Sequence, residues 1–330
     1  MTSTADDVKT VDRPWLRLPT MEHAPRLIDS GIALDGLFDL PDGSALTLAR
    51  IDPQTGDLLC ARWNNTGSLG FYPASTIKWN TAFLALGVMR EHDLSLDHVI
   101  QVGDDPPRSL RDLIAGMLVM SDNQAFNALQ ETVGFRETYD WMRSIGCADS
   151  LVRRHFTRPH WNHSRAVRVW SPQGAELRPI AARPAVDMPL NGDPAPGSPR
   201  ESNWFTTDDL IRCGAATLMQ AGRGDPGFVF VTDQLAYTNQ CYVREGLWRV
   251  TAALPSRPGY VSLNKPGWWP PDGANSELCY VYDVQRGGHY LLAVYVQGTN
   301  EDARVAMGDA AQAIFTAIAQ GGLALRLGSE

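Results

Sequence analysis

The chain has 330 residues, 44% of them apolar and 20% charged, which is enough for one large domain with a real core. Its net charge of −8 argues against a sequence-independent grip on nucleic-acid phosphates. No apolar run reaches membrane-spanning length.

The first thirty residues carry acids and prolines and lack the apolar run of a secretory signal, so a cytoplasmic home is expected. Residues 1–32 read as an arm that packs on the surface or stays loose. "ALTLARID" and "LLCARWN", separated by the turn "PQTGD", predict a strand pair. Ser75 then opens an apolar helical stretch through about Arg90. In "SLRDLIAGMLVM", Leu110, Leu113, Ile114, Met117 and Leu118 recur at helical spacing, with Ser109 as N-cap and Asp112 at the reciprocal position. After a break at Ser121–Asn123, Phe126, Leu129 and Val133 predict another helix.

Residues 150–203 are rich in Pro, Arg and Trp and show little periodicity. A plain loop of that length is out of place in a compact domain, so a functional loop or insertion is expected. "TTDDLIRCGAATLMQAG" predicts a helix capped by Thr206 or Thr207. "LWRVTAAL", "YVSLNK", "ELCYVYDV" and "YLLAVYVQG" read as strands, the last two joined by a hairpin at Arg286–Gly288. A final helix, roughly 301–319, would bury Ala306, Ala310, Ala313, Ile314, Ala317 and Ile318. The order implies an α/β (α+β) fold with one antiparallel sheet made from both ends of the chain (about 33–72 and 241–330). A mostly helical lobe (about 73–240) is inserted between them and carries the insertion at about 150–183.

Five cysteines (Cys60, Cys147, Cys213, Cys241, Cys279) lie far apart with no Cys-x-x-Cys pair, so buried free thiols are expected rather than a zinc knuckle or redox motif. His155, His160 and His163 have loose spacing and lack a clear fourth ligand, so no metal is expected.

Three lysines (Lys9, Lys78, Lys265) stand against 26 arginines. Lys78 follows Ser75 by three residues in "FYPASTIKWN", at a helix start, where both side chains share a face. A serine hydroxyl is a weak nucleophile until a base takes its proton. A lysine does this once burial or a nearby cation lowers its pKa, whereas an arginine cannot be deprotonated. Alone, Ser-x-x-Lys also fits an ordinary helix-surface pair. Ser121-Asp122-Asn123 follows at the helix break, and Lys265-Pro266-Gly267 at the end of a predicted strand.

Taken in that order, these motifs resemble those of the class A β-lactamase branch of the penicillin-recognising serine enzymes. The resemblance covers roughly residues 33–320. It implies a covalent ester on Ser75, with Lys78 as base and Ser121 as proton relay. Asn123 would position the Lys78 amine or a substrate amide, and Lys265 would support the electrostatics. The backbone N–H groups of Ser75 and Trp268, next to Gly267, would form the oxyanion hole, and Trp268 and Trp269 would wall the cleft. In "DMPLNGDPAPG", Asp187 and Asn191 would hold the deacylating water, Asp187 standing where the family carries a glutamate. Misplacing a base by about 1 Å can cost a hundredfold. Pro266 replaces a hydroxyl residue, removing a donor to a substrate carboxylate. The arginines of the insertion are either recognition groups for an acidic substrate or a solvated flap.

No cofactor is implied, and neither nucleic acid nor membrane is an expected partner. The expected partner is a small-molecule acyl substrate, bound by a monomer or weak homo-oligomer. The departures leave open a β-lactamase, an esterase or transacylase of small-molecule biosynthesis, a D,D-peptidase, and a relative that only binds or traps its ligand.

Overall fold

The computed structural model describes residues 13–156, 162–185, 188, 203–220, 223–238, 241–270 and 273–325. The first half of the chain contains β1 (Leu27–Ala33), β2 (Ala45–Ile51), β3 (Leu58–Arg62), β4 (Gly70–Phe71) and, after a single 3₁₀ turn at Ala74–Ile77, α1 (Lys78–Glu91). Then follow β5 (Val99–Val102), β6 (Arg108–Ser109), α2 (Leu110–Val119), α3 (Asn123–Val133), α4 (Phe135–Ser144) and β7 (Val167–Trp170). The second half contains β8 (Phe205–Thr206), α5 (Thr207–Leu218), α6 (Pro226–Tyr237) and α7 (Tyr242–Ala253). It ends with β9 (Tyr260–Trp269), β10 (Ala274–Asp283), β11 (Gly288–Gln297) and α8 (Asn300–Gln320).

The main sheet runs β1-β3-β2-β11-β10-β9, so chain start and chain end meet at the β2–β11 ladder. Every pairing in it is antiparallel except the β1 edge, which runs parallel to β3. Both faces are covered. Alternate residues of β10 therefore enter different cores: Leu278 and Tyr280 one, Cys279 and Val281 the other. This explains why β10 is buried along its whole length and why Leu278–Tyr282 is apolar without alternation. On one face α5 lies close to the strands; a methyl group at Gly214 would stand 3.0 Å from Leu291. On the other, α7 and α8 pack so tightly that Gly246 faces the backbone of Gly308.

Several local expectations hold. Ser109 caps α2 by accepting from the Asp112 N–H (3.0 Å), and Thr206 caps α5 by accepting from that of Asp209 (3.1 Å). All five cysteines are free thiols and buried. Others need correction. The arm does not run to residue 32, because Leu27–Ala33 is the β1 edge strand. "LWRVTAAL" is not a strand but the body of α7, where Tyr242, Val243, Gly246, Leu247 and Val250 face inward at helical spacing. In α8, Ala303, Met307, Ala311 and Phe315 belong to the buried face, which sequence reading centred too far toward Ala306, Ala313 and Ala317. Within the insertion, β7 joins β5 and β6 in a small sheet. No helix among the described residues is long and apolar enough to cross a membrane.

Candidate active site

The 3₁₀ turn that carries Ser75 is pinned to the main sheet. Ser276 Oγ donates to Pro73 O (2.7 Å) and lies 2.7 Å from Thr76 Oγ1. One turn on, the Trp79 indole donates to Thr217 of α5 (2.8 Å), fixing α1 from behind. Ala74 sits at φ +47°, a left-handed conformation that costs a non-glycine residue about 1 kcal/mol or more. Ser121 repeats this strain at φ +57°. It stands at the break between α2 and α3, where Asp122 caps α3 by accepting from the N–H groups of Gln124 and Ala125. Arg108 holds that Asp122 carboxylate at 2.9 Å.

These constraints bring three of the sequence motifs together. The Lys78 amine, fully buried, contacts Ser121 O (2.5 Å), Asn123 Oδ1 (2.7 Å) and Ser121 Oγ (3.1 Å). The Lys265 amine donates to the same Ser121 Oγ (3.3 Å) and to Pro266 O (3.1 Å). Burial, then the nearby Lys265 charge, lowers the Lys78 pKa to about 6, against a smaller opposing pull from Asp122. Burial lowers Lys265 to about 8, while Cys241 and Glu277 pull the other way. A neutral amine has two hydrogens and one lone pair. In the structure Nζ donates to all three oxygens, and loss of one proton frees the lone pair that a base needs. Among the described residues no hydrogen bond joins Ser75 Oγ to Lys78; apo catalytic contacts often tighten only when substrate binds.

Ser75, Ser121, Lys265, Gly267 and Trp268 line one cleft of about 270 Å³. Gly267 makes this possible. A Cβ there would lie 2.8 Å from Ser75 N and 2.5 Å from Pro73 O, so β9 and the Ser75 turn meet backbone to backbone. Trp269 does not line the cleft; its ring meets Tyr72 edge-on at 5.8 Å. Asp187 and Asn191 lie outside the described residues, as does His160.

Three arginines of the insertion, Arg153, Arg165 and Arg183, reach protein partners, whereas Arg168 and Arg178 are exposed, as a solvated flap expects. Arg165 pairs with the buried Glu131 (2.7 Å) and with Asp105 (2.5 Å). Arg183 pairs with Glu137 (2.9 Å) and donates to Glu131 O and Thr132 O. Arg153 donates to Met188 O (2.9 Å). His155 lies beside Glu131 at 3.4 Å.

Two residues at the site escaped sequence reading. The Phe156 ring lies 5.1 Å from the Lys78 amine, its N–H held by Asn127 Oδ1 (3.2 Å) and its ring packed on Phe126 at 4.6 Å. It lay in the stretch without periodicity, so nothing placed it. Glu277, paired with Pro266 across β9–β10, is fully buried and accepts from the N–H groups of Tyr242 and Val243 and from the Asn264 amide. Burial raises its pKa to about 7 despite those bonds. An acid immediately before the apolar run Leu278–Tyr282 was the available signal.

This fold and cleft define a class: a sheet flanked by helices, with a Ser-x-x-Lys turn and a Ser-Asp-Asn helix break facing a lysine of β9. The model of the β-lactamase enzyme family matches residues 52–213. A β-lactamase from Burkholderia vietnamiensis superposes with TM-score 0.56 at 17% identity, over 84% of this chain and 92% of that one. The TLA-3 extended-spectrum β-lactamase gives 0.58 at 15%, over 86% and 95%. A β-lactamase from Sphaerobacter thermophilus DSM 20745 gives 0.56 at 17%, over 84% and 92%. No curated protein matches. The chain thus resembles the β-lactamase enzyme family over residues 52–213 and shares the fold of the class A β-lactamases.

Proposed function

We propose that the protein is a serine-nucleophile hydrolase that cleaves an amide or ester through an acyl-enzyme on Ser75. The observation that carries this reading is the Lys78 amine, buried, depressed to about 6 and bonded to Ser121 and Asn123 beside the cleft that holds Ser75. In acylation, Ser75 Oγ bonds to the carbonyl carbon and its proton passes to Lys78. The N–H groups of Ser75 and Trp268 take the charge that develops on the carbonyl oxygen. The bond to the leaving group breaks, and the proton reaches that group through the Ser121 hydroxyl. Lys265 stabilises negative charge from the far side of Ser121. In deacylation, water adds to the ester, the Ser75–acyl bond breaks, and Ser75 recovers a proton. Asp187, with Asn191, is the proposed base for that water.

Intact-mass spectrometry tests this reading after incubation with a penicillin, nitrocefin or a p-nitrophenyl ester. A Ser75 adduct in the wild type and none in Ser75→Ala is expected; equal turnover by the two would refute the nucleophile. Asp187→Ala is expected to acylate normally and to accumulate the adduct.

One observation favours a second reading, in which the acyl-enzyme persists or passes its acyl group to an amine. The Phe156 ring lies 5.1 Å from the Lys78 amine, an apolar group beside the base where a hydrolytic water would need polar partners. A lasting adduct in the wild type distinguishes this reading.

A further inference from the structure

We propose that the cleft selects an acyl donor without a carboxylate, whose apolar acyl group lies between Met120 and Trp268. This rests on the reading of Ser75 as nucleophile.

The argument begins with what the cleft wall offers a ligand. Lys265 is its one cation among the described lining residues, and it is 1% exposed. Two of its three hydrogens serve Ser121 Oγ and Pro266 O, inside the protein. Pro266, next in β9, has no side-chain donor. Arg244 of α7 reaches the back of β9 but is spent on other partners: Asn264 Oδ1 (2.9 Å), Ser262 Oγ (3.1 Å), Thr238 O (3.2 Å) and Leu235 O (3.3 Å). Among the described lining residues, a substrate carboxylate would meet only one cation, a buried lysine shared with Ser121, in return for leaving water, which is unfavourable.

The apolar side is the converse. Met120, 74% exposed, ends α2 beside Ser121, and Trp268, 47% exposed, extends β9 beyond Lys265. Both line the cleft, one from the helical side and one from the sheet side. A thioether and an indole at the rim have hydrophobic surface to bury and little to hydrogen-bond. Each acyl methylene they cover is worth about fourfold in affinity.

The test compares p-nitrophenyl acetate, butyrate and hexanoate with mono-p-nitrophenyl adipate, which ends the six-carbon chain in a carboxylate. The expected result is a kcat/KM that rises severalfold per two methylenes and falls at least about thirtyfold from hexanoate to adipate. Met120→Ala and Trp268→Ala, both at exposed positions, should flatten the chain-length dependence, and Met120→Lys should raise adipate relative to hexanoate. Adipate equal to or better than hexanoate, or a flat chain-length series, overturns the proposal. Labelling by a small neutral fluorophosphonate, read by intact mass, separates the two failures. A Ser75 adduct together with carboxylate preference refutes the selectivity alone, whereas no adduct at Ser75 refutes both it and the nucleophile.

Discussion

Gly267 lies so close to Ser75 that a methyl group on its Cα would stand 2.8 Å from the Ser75 nitrogen. The proposed oxyanion hole needs one N–H group from the Ser75 turn and one from β9 to converge, and a side chain here would wedge them apart. Gly267→Ala is expected to lower kcat/KM by about a hundredfold or more. Ester turnover checks this; a loss under threefold would show that the contact does not set the geometry.

The two lysines share the Ser121 hydroxyl, so they titrate as a linked pair and the pH profile belongs to both. Lys78 acts as a base and must be neutral, so activity falls as pH drops through about 6. Lys265 supports negative charge and must be protonated, so activity falls as pH rises through about 8. A bell-shaped kcat/KM with these limbs is expected in ester hydrolysis. A profile still rising at pH 9 would remove Lys265 from the charged role.

Ser121→Ala deletes the oxygen that both amines touch while leaving Ser121 O, the other Lys78 acceptor at that position, in place. Lost proton relay should lower kcat by about 10²- to 10⁴-fold with a smaller change in KM. Steady-state kinetics separates this from a loss of binding, which would appear mainly in KM.

Lys78→Met should abolish adduct formation and raise Tm. The folded pKa of Lys78, about 6, lies below the ordinary lysine value of 10.5 that the unfolded chain restores. Between these values the unfolded chain holds the extra proton, so this amine makes stability rise with pH, and its burial costs most at the acid end. The Tm gain of the variant should therefore be larger at pH 6 than at pH 9. A gain independent of pH would mean that the amine is not desolvated.

Arg165→Ala leaves Glu131 buried without its ion-pair partner on the insertion. Breaking such a pair costs about 3–5 kcal/mol, so Tm should drop by about 6 °C or more. Thermal unfolding checks this. An unchanged Tm would mean that the clamp between α3 and the insertion carries no stability.

Some of the fold was legible because it is local. Ser109, Asp112 and the Leu110–Leu118 spacing describe α2 without reference to the rest of the chain, and Arg286–Gly288 marks the hairpin of β10 and β11. The failures share a cause. In "LWRVTAAL" Trp, Val and Thr suit a strand while Leu, Ala and Arg suit a helix, and the helix is the state that packs on α8, where Gly246 meets Gly308. The β1 strand pairs with β3 from the edge, a long-range choice that its own weak alternation does not announce.

At the site, residue types alone decided the available chemistry: a serine, one turn from a lysine in a chain with only three, can be deprotonated where an arginine pairing cannot. Tertiary structure decided everything that depends on distance and on exclusion of water. It brought Ser121 within reach of both Lys78 and Lys265, placed Phe156 over one amine and turned Arg165 and Arg183 of the insertion onto protein carboxylates and carbonyls. Nothing in the order of residues encodes those contacts directly. They arise when two layers of helices close on a sheet and strip solvent from the groups between them, and that loss of solvent is what moves the pKa of Lys78.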